Sequence, residues 1–334
     1  MGRKVLLLKE SDIRSLLDAR TCIDAVEEAF SSYAGGKTQL PGVIGLDVPE
    51  HRGEIHVKCG HISGAATYAI KIASGFEDNA KIGLPVNDGM VLAFDARTGA
   101  PAAFLLDNGF ITDLRTGAAG AVAAKHLARQ EPRVVALIGS GGQARIQVEL
   151  LTHVRSFKEV RVYGRSPERA RACADDLSKR PEMPEGCTFQ PAASVQEAVE
   201  GADIVITVTP SREPLVRAEW ISPGALIIAV GSDDPGKQEL YPEVLASADR
   251  VVADSLPQCL RLGEIHHAVD KGVITEKDVS AELGEITLGR KPGRQSEDEI
   301  IVCDLTGVGV QDVAAAGVVL ERAREKGLGE VVSI

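Results

Sequence analysis

Gly139, Gly141 and Ala144 stand at the spacing G-x-G-x-x-G/A, directly after the apolar run Arg133-Val-Val-Ala-Leu-Ile138. Each position in that spacing has a physical job. The first glycine permits a tight turn, the second lets backbone approach a pyrophosphate, and the small third residue lets a helix pack on the strand. Amides at the start of the following helix, from Gly142 and Gln143 onward, then face phosphate charge. An isolated match would be an ordinary glycine turn. Here it follows a buried strand, precedes a helical stretch to Val154 and opens a βαβ unit, so it reads as a dinucleotide site.

An acidic residue about 20 positions further on would take the ribose hydroxyls of NAD. That place holds Gly164-Arg165-Ser166, which offers space, a guanidinium and a hydroxyl instead. NADP is favoured over NAD, although Arg165 could equally cover the adenine face of either. Thr207 and Val208 end one buried run, and Val230 and Ser232 end the next; strand ends of this kind face the cofactor in open α/β sheets. Asp233 and Asp234 follow Val230 and are candidates for the same crevice, although Asp-Asp-Pro-Gly is also a good turn sequence. Arg115 and Thr116 open an Ala/Gly-rich helix and form either a second phosphate clamp or a solvated helix end. Lys58 and Lys71 lie on expected strands, where a surface lysine could also snorkel.

These residues need elements to hold them. Ile23, Val26, Phe30 and Tyr33 recur at helical spacing, and Gly35-Gly36 stops the run. From Leu40 to Leu106 short strands alternate with turns, as at Glu54–Lys58, Tyr68–Ala73 and Met90–Asp95, giving a mostly antiparallel region. Thr116–Leu127 is the Ala/Gly-rich helix. After it, the runs at 133–138, 160–163, 203–208 and 225–230 suit strands of a parallel sheet buried on both faces. Ser194-x-x-Glu197 is a capping box that opens a short helix between two of them. Val310–Lys326 is a final helix rich in Ala and Val. The alternation predicts an α/β fold with a doubly wound parallel sheet.

The 334 residues suffice for about two domains. Apolar residues are 44% and charged residues 25%, an ordinary globular mix that excludes coiled coil, collagen and bulk disorder. The net charge of −11, without a Lys/Arg block, argues against a nucleic-acid partner. No apolar run reaches the roughly 18 residues of a membrane span, and the first nine residues lack a secretory pattern. Six scattered cysteines form no CxxC and no zinc spacing, so no metal is expected and the thiols read as reduced, in a cytosolic protein.

The segments Tyr68-Ala-Ile-Lys71, Leu114-Arg-Thr-Gly-Ala-Ala-Gly120, Ile138-Gly-Ser-Gly-Gly-Gln143, Val230–Leu240, Gly293–Ile300 and Asp304–Asp312 together resemble the ornithine cyclodeaminase/mu-crystallin family, in order along nearly the whole chain. The resemblance implies a Rossmann domain at 117–312. It also implies an α+β substrate and dimerisation domain, made of 1–116 and completed by the C-terminal helix at 313–334. Two subunits would join their first-domain sheets into a closed barrel. By the same resemblance, Lys71 engages a substrate carboxylate, Arg115 is shared between carboxylate and cofactor, and Thr116 lies at the phosphates. Asp233 handles the substrate amino group, and Thr306 and Gly307 line the nicotinamide side. A family arginine is replaced here by His56, with Lys58 restoring the positive charge. The implied activity is hydride transfer at the α-carbon of a small amino or imino acid. Ornithine cyclodeamination is the alternative, and a non-enzymatic NADPH-dependent binder is the third reading.

Overall fold

The computed structural model describes residues 3–334. It opens with β1 (Lys4–Lys9), α1 (Glu10–Leu16) and α2 (Ala19–Ala34). Strands β2 (Thr38–Gln39), β3 (Ile44–Val48), β4 (Gly53–Ile62), β5 (Thr67–Phe76), β6 (Asn87–Asp95) and β7 (Pro101–Leu106) follow, then α3 (Phe110–Leu127). Next come β8 (Val134–Ile138), α4 (Gly142–Leu151), β9 (Glu159–Tyr163), α5 (Pro167–Leu177), β10 (Thr188–Pro191) and α6 (Val195–Val199). After these run β11 (Ile204–Thr207), β12 (Leu226–Ala229), α7 (Pro242–Ala246), β13 (Arg250–Ala253), α8 (Leu256–Cys259) and α9 (Gly263–Asp270). The chain closes with β14 (Val279–Glu282), α10 (Leu283–Thr287), β15 (Ile301–Asp304), α11 (Gly309–Lys326) and β16 (Glu330–Ser333).

These elements form two compact units. One holds the residues up to Arg115 together with Val308–Ile334; the other is Thr116–Gly307. The return to the first unit is thus at Val308 rather than at the 313 expected from the sequence. From there Val308 and Val310 pack with Ala29 of α2, and Asp312 pairs with Lys71 and Arg115.

The first unit is built on a sheet ordered β16-β1-β7-β6-β5-β4-β2, with β3 also on β4. Only β1 and β7 run parallel; the remaining pairs are antiparallel. The short terminal strand β1, read from sequence only as basic then apolar, buries Val5 and Leu8. Asp18 starts α2 by accepting from the Thr21 amide at 2.9 Å. The face of β4 bearing Lys58 and Gly60 is covered by α11: a Cβ at Gly60 would lie 3.2 Å from Val313 Cγ2.

The second unit is an all-parallel sheet ordered β10-β9-β8-β11-β12-β15-β13-β14. Its inner strands β11, β12, β13 and β15 are buried at every position, which is why they read as unbroken apolar runs. Strand order reverses between β8 and β11, the switch point at which such sheets bind ligands. The small residues of α3 have a packing cause. A Cβ at Gly117 would meet Ile146 Cγ2 at 2.6 Å, so only small residues let α4 pack this close. The expected Ser194 cap is present, accepting from the Glu197 amide at 3.0 Å. The Gly293–Ile300 motif has a structural role: Arg294 donates to Leu127 O at 2.7 Å and Glu299 O at 2.7 Å, capping the end of α3. No described helix is long and apolar enough to cross a membrane.

Candidate active site

In the first unit the antiparallel register of β4 and β5 sets Lys58 directly opposite Lys71. Both are buried, at 9% and 2% exposure, where two like charges repel. The offsetting carboxylate comes from Asp312, in the first turn of α11. Its Oδ1 accepts from Arg115 Nε at 2.9 Å, and its Oδ2 lies 3.8 Å from Lys71 Nζ. Arg115 is held on a second edge by Gln311, whose Oε1 accepts from Nη1 at 3.0 Å. Burial pushes the Asp312 carboxyl up, but the charges of Arg115, Lys71 and Lys58 outweigh it and hold it below its ordinary value. Asp107, also buried, accepts from the Ile111 amide, and burial pushes its carboxyl up to about 6. Three buried cations converge on one ionised carboxylate, a dry setting in which charge-assisted hydrogen bonds can hold a further anion. His56 lies two residues from Lys58, on the same strand face but less buried, facing Gly45 of β3. Asp312 ends the Asp304–Asp312 motif, and nothing local in the sequence marks it as the counter-ion.

In the second unit a cavity of about 530 Å³ opens at the ends of β8, β9 and β11. Gly139, Gly141, Gly164, Arg165, Ser166 and Val208 line it, as the sequence suggested. Gly139 has φ +136°, and a Cβ there would lie 2.6 Å from Val208 O, so no other residue fits. Cβ atoms at Gly141 and Gly142 would meet nothing within 4 Å. Arg145 donates to the carbonyls of Ser140 and Gly141 at 2.8 and 2.9 Å, which fixes the loop's orientation. An open glycine backbone at the start of α4, above a cavity of this size, fits a dinucleotide phosphate. Gly164 is packed against Ser140: a Cβ would lie 2.7 Å from Ser140 Oγ. Position 164 therefore cannot carry a ribose-binding carboxylate without rearrangement. Arg169, one helical turn past Arg165, adds a second guanidinium to the lining that the sequence reading missed. Ser166 caps α5, accepting from the Arg169 amide and donating to Glu168 Oε2 at 2.7 Å.

Other residues expected at the cofactor, Gln143, Ala144, Thr207, Val230 and Ser232 among them, lie outside the lining of this cavity. Ala144 is fully buried beneath the loop. Gln143 accepts from Gln147, which also donates to Thr116 O at 3.1 Å, tying α4 to α3. Thr207 is fully buried against the Glu239 carboxyl. Buried Val230 leads into the next loop, where Ser232 spends its hydroxyl on Lys237 O. In that loop the two acids separate. Asp233 is half-exposed and accepts from Lys237 Nζ at 2.8 Å. Asp234 accepts from the Gly236 amide at 2.8 Å and so closes the turn. Thr306 and Gly307 are held by Asp254, which accepts from the Thr306 hydroxyl at 2.9 Å and the Gly307 amide at 2.7 Å. The Thr306 hydroxyl therefore points inward to Asp254. No cluster of metal-ligating side chains occurs among the described residues.

Comparison with known proteins agrees with this architecture. Residues 3–327 match the ornithine cyclodeaminase/mu-crystallin family. A putative dehydrogenase of Rhizobium meliloti is 42% identical over 98% of both chains. An alanine dehydrogenase of Archaeoglobus fulgidus is 39% identical, with the same coverage of each. An iminosuccinate reductase of Paracoccus denitrificans is 32% identical, over 99% of this chain and all of the other. Among solved structures, an archaeal alanine dehydrogenase dimer with bound NAD superposes with a TM-score of 0.91 at 37% identity, covering 99% of this chain and all of the other. A Thermococcus litoralis Δ1-pyrroline-2-carboxylate reductase with NADH and L-proline gives 0.92 at 35% identity, covering 98% and 100%. The fingerprint loop, the cavity beside it and similarity along the full length lead to one conclusion: this chain is an NAD(P)-dependent oxidoreductase belonging to the ornithine cyclodeaminase/mu-crystallin family.

Proposed function

We propose that the chain moves a hydride between a nicotinamide and the α-carbon of a small amino or imino acid, and releases the product at that stage. The observation that carries this reading is the convergence of buried Lys58, Lys71 and Arg115 around Asp312. An α-carboxylate is an anion of the right size to complete that cluster. The cofactor, when bound, supplies or takes the hydride at C4 of its ring. The chain's own residues do the rest. Lys71 and Arg115 hold the carboxylate and thereby the α-carbon, with Lys58 adding charge. Asp233 takes the proton of the substrate ammonium in the oxidative direction and holds a protonated imine in the reductive one. Orientation is the protein's main contribution, because a fixed near-attack geometry removes much of the entropic barrier. Relatives named alanine dehydrogenase, Δ1-pyrroline-2-carboxylate reductase and iminosuccinate reductase support this reading, and one named as a cyclodeaminase belongs with the alternative.

NADP(H) is the preferred cofactor in this proposal, because Gly164 supplies no carboxylate to repel a 2′-phosphate and Arg165 and Arg169 line the cavity. A homodimer in the cytosol is also proposed. Its support is the outer face of the first-unit sheet, where Ile55, Val57, Ile70, Ile72 and Leu92 remain partly exposed while the lysines are buried. The test offers purified protein NADPH with pyruvate plus ammonia or methylamine, then with a cyclic ketimine, and separately offers ornithine with NAD. NADPH oxidation with an imine is expected. Formation of proline and ammonia from ornithine, without net cofactor turnover, would replace this reading with cyclodeamination.

A further inference from the structure

The mechanism above leaves Glu239 unused, although it closes the Val230–Leu240 motif and is wholly buried. Its carboxylate reaches two loops. Oε1 accepts from the Thr209 amide at 2.5 Å, in the turn after β11, and Oε2 accepts from the Gly231 amide at 2.9 Å, after β12. Thr209 lines the nucleotide cavity, and Gly231 is two residues before Asp233. The two loops touch here: a Cβ at Gly231 would lie 2.3 Å from Thr209 O. The Glu239 backbone is fastened as well. Its carbonyl accepts from the Leu215 and Val216 amides, and its amide donates to buried Glu264 of α9 at 2.7 Å. Glu264 also accepts from the Leu240 amide at 3.0 Å. The next residue of α9, Ile265, donates to Asp304 Oδ2 at 2.9 Å, at the end of β15.

We infer that Glu239 is a positioning residue, whose carboxylate sets the cofactor-lining turn and the Asp233 loop as one piece. A carboxylate offers acceptors alone at both oxygens, whereas a carboxylic acid or an amide puts a donor on one of them. Glu239 therefore braces both loops best when ionised. Burial pushes its carboxyl up to about 7, against the pull of the hydrogen bonds from Thr209 and Gly231. The groups that face it are Glu264 from α9, raised by burial and by Glu239 itself, and Asp304 from β15, raised by burial to about 8. His267 of α9 contacts Lys237 O, and Lys237 holds Asp233, so these also belong to the neighbourhood.

The inference rests on nucleotide binding at the cavity but not on the identity of the substrate, so binding is measured rather than turnover. Trp220, the only tryptophan, serves as donor to bound NADH, whose phosphates do not titrate near neutrality. Wild-type affinity for NADH is expected to fall as pH drops through about 7, as one acceptor becomes a donor. Glu239→Gln keeps the shape but turns an NH₂ toward a backbone N–H. It should bind NADH about tenfold more weakly at pH 8, with a flat profile and a melting temperature close to wild type. Equal affinity, or a variant that keeps the wild-type pH profile, overturns the inference. If the variant does not fold, a wild-type affinity constant from pH 6 to 8.5 overturns it alone. NADH binding with no activity on any imine would count against the proposed reaction and leave the brace standing.

Discussion

Lys58 and Lys71 are cross-strand partners on β4 and β5, and both ammonium groups are turned into the buried face of their sheet. Such a pair survives because Asp312 lies against it, 3.8 Å from Lys71 Nζ. The arrangement is stable as a cluster and unstable in parts. Removing one partner of a buried pair typically costs about 3–5 kcal/mol, because the other charge is left uncompensated. Asp312→Asn should therefore lower the melting temperature markedly, and sulfate should restore more of it than in wild type. Lys71→Met should instead leave cofactor affinity intact and cut kcat/KM for the imino acid by about 100-fold or more, as loss of a buried charge-assisted contact implies. Steady-state kinetics and cofactor titration check both; an unchanged KM and kcat in Lys71→Met would remove the carboxylate anchor from the proposal.

The packing at Gly164 changes what an engineered cofactor switch requires. Gly164→Asp alone introduces a Cβ 2.7 Å from Ser140 Oγ, so it should weaken NADPH and NADH together. The pair Gly164→Asp with Ser140→Gly relieves that contact and should move preference to NADH, since a carboxylate repels the 2′-phosphate. Arg165→Ala with Arg169→Ala should weaken NADPH selectively. Wild-type protein using NADH tenfold better than NADPH would contradict the whole cofactor assignment.

Asp233 and Asp234 should behave very differently. Positioned acid–base groups contribute about 10²–10⁴-fold, so Asp233→Asn should lose at least about two orders of magnitude in kcat with NADPH affinity nearly unchanged. Asp234 accepts from the Gly236 amide, a bond that asparagine can still make, so Asp234→Asn should cost little. An inactive Asp234 variant beside an active Asp233 variant would reverse the assignment.

Stability should fall as pH rises from about 6 to 8.5. Burial raises Glu239 to about 7 and Asp304 to about 8, and Glu264 is raised too. In the unfolded chain such carboxyls titrate near about 4. The folded state therefore holds protons that the unfolded state has released, and its stability declines with pH across that window. Asp18 acts outside it: burial pushes its carboxyl up, but hydrogen bonds from Thr21 and Arg322 bring it down to about 2. His267, lowered by burial, opposes the trend as a single group. Thermal melts at pH 6 and 8.5 give the sign, and a higher melting temperature at pH 8.5 would refute it.

The sheet of the first unit predicts assembly. Ile44, Leu46, Ile82 and Leu84 are exposed near the partly exposed apolar face, with Ile82 at 72%. Pairing across a two-fold axis would cover such a surface. Light scattering at micromolar concentration should give a dimer, and Ile72→Glu should give a monomer. A monomeric wild type would exclude the assembly.

What the sequence by itself determined is what short range dictates. Gly139, Gly141 and Ala144 announce a phosphate loop because their spacing is local: Gly139 is demanded by its own backbone, Gly141 leaves the backbone open, and Ala144 is buried beneath the loop. The runs at 203–208 and 225–230 announce parallel strands because both of their faces are buried. The terminal strands β1 and β16 carried too few residues for a pattern, and they exist because each completes the other's pairing. Strand alternation leaves Lys58 and Lys71 open to a surface reading, since it does not say which face of a strand is inward, and only the family resemblance gives them a place at the substrate. Only the register of β4 on β5 set them opposite each other, and only the return of the chain after Val308 brought Asp312 between them and Arg115. Likewise, Gly164 read as room for a phosphate, while the structure showed it closed by Ser140, and Glu239 read as the end of a loop motif. These are contacts between residues far apart in sequence or on different elements. Their geometry depends on how sheets pair and helices pack, which no local pattern encodes.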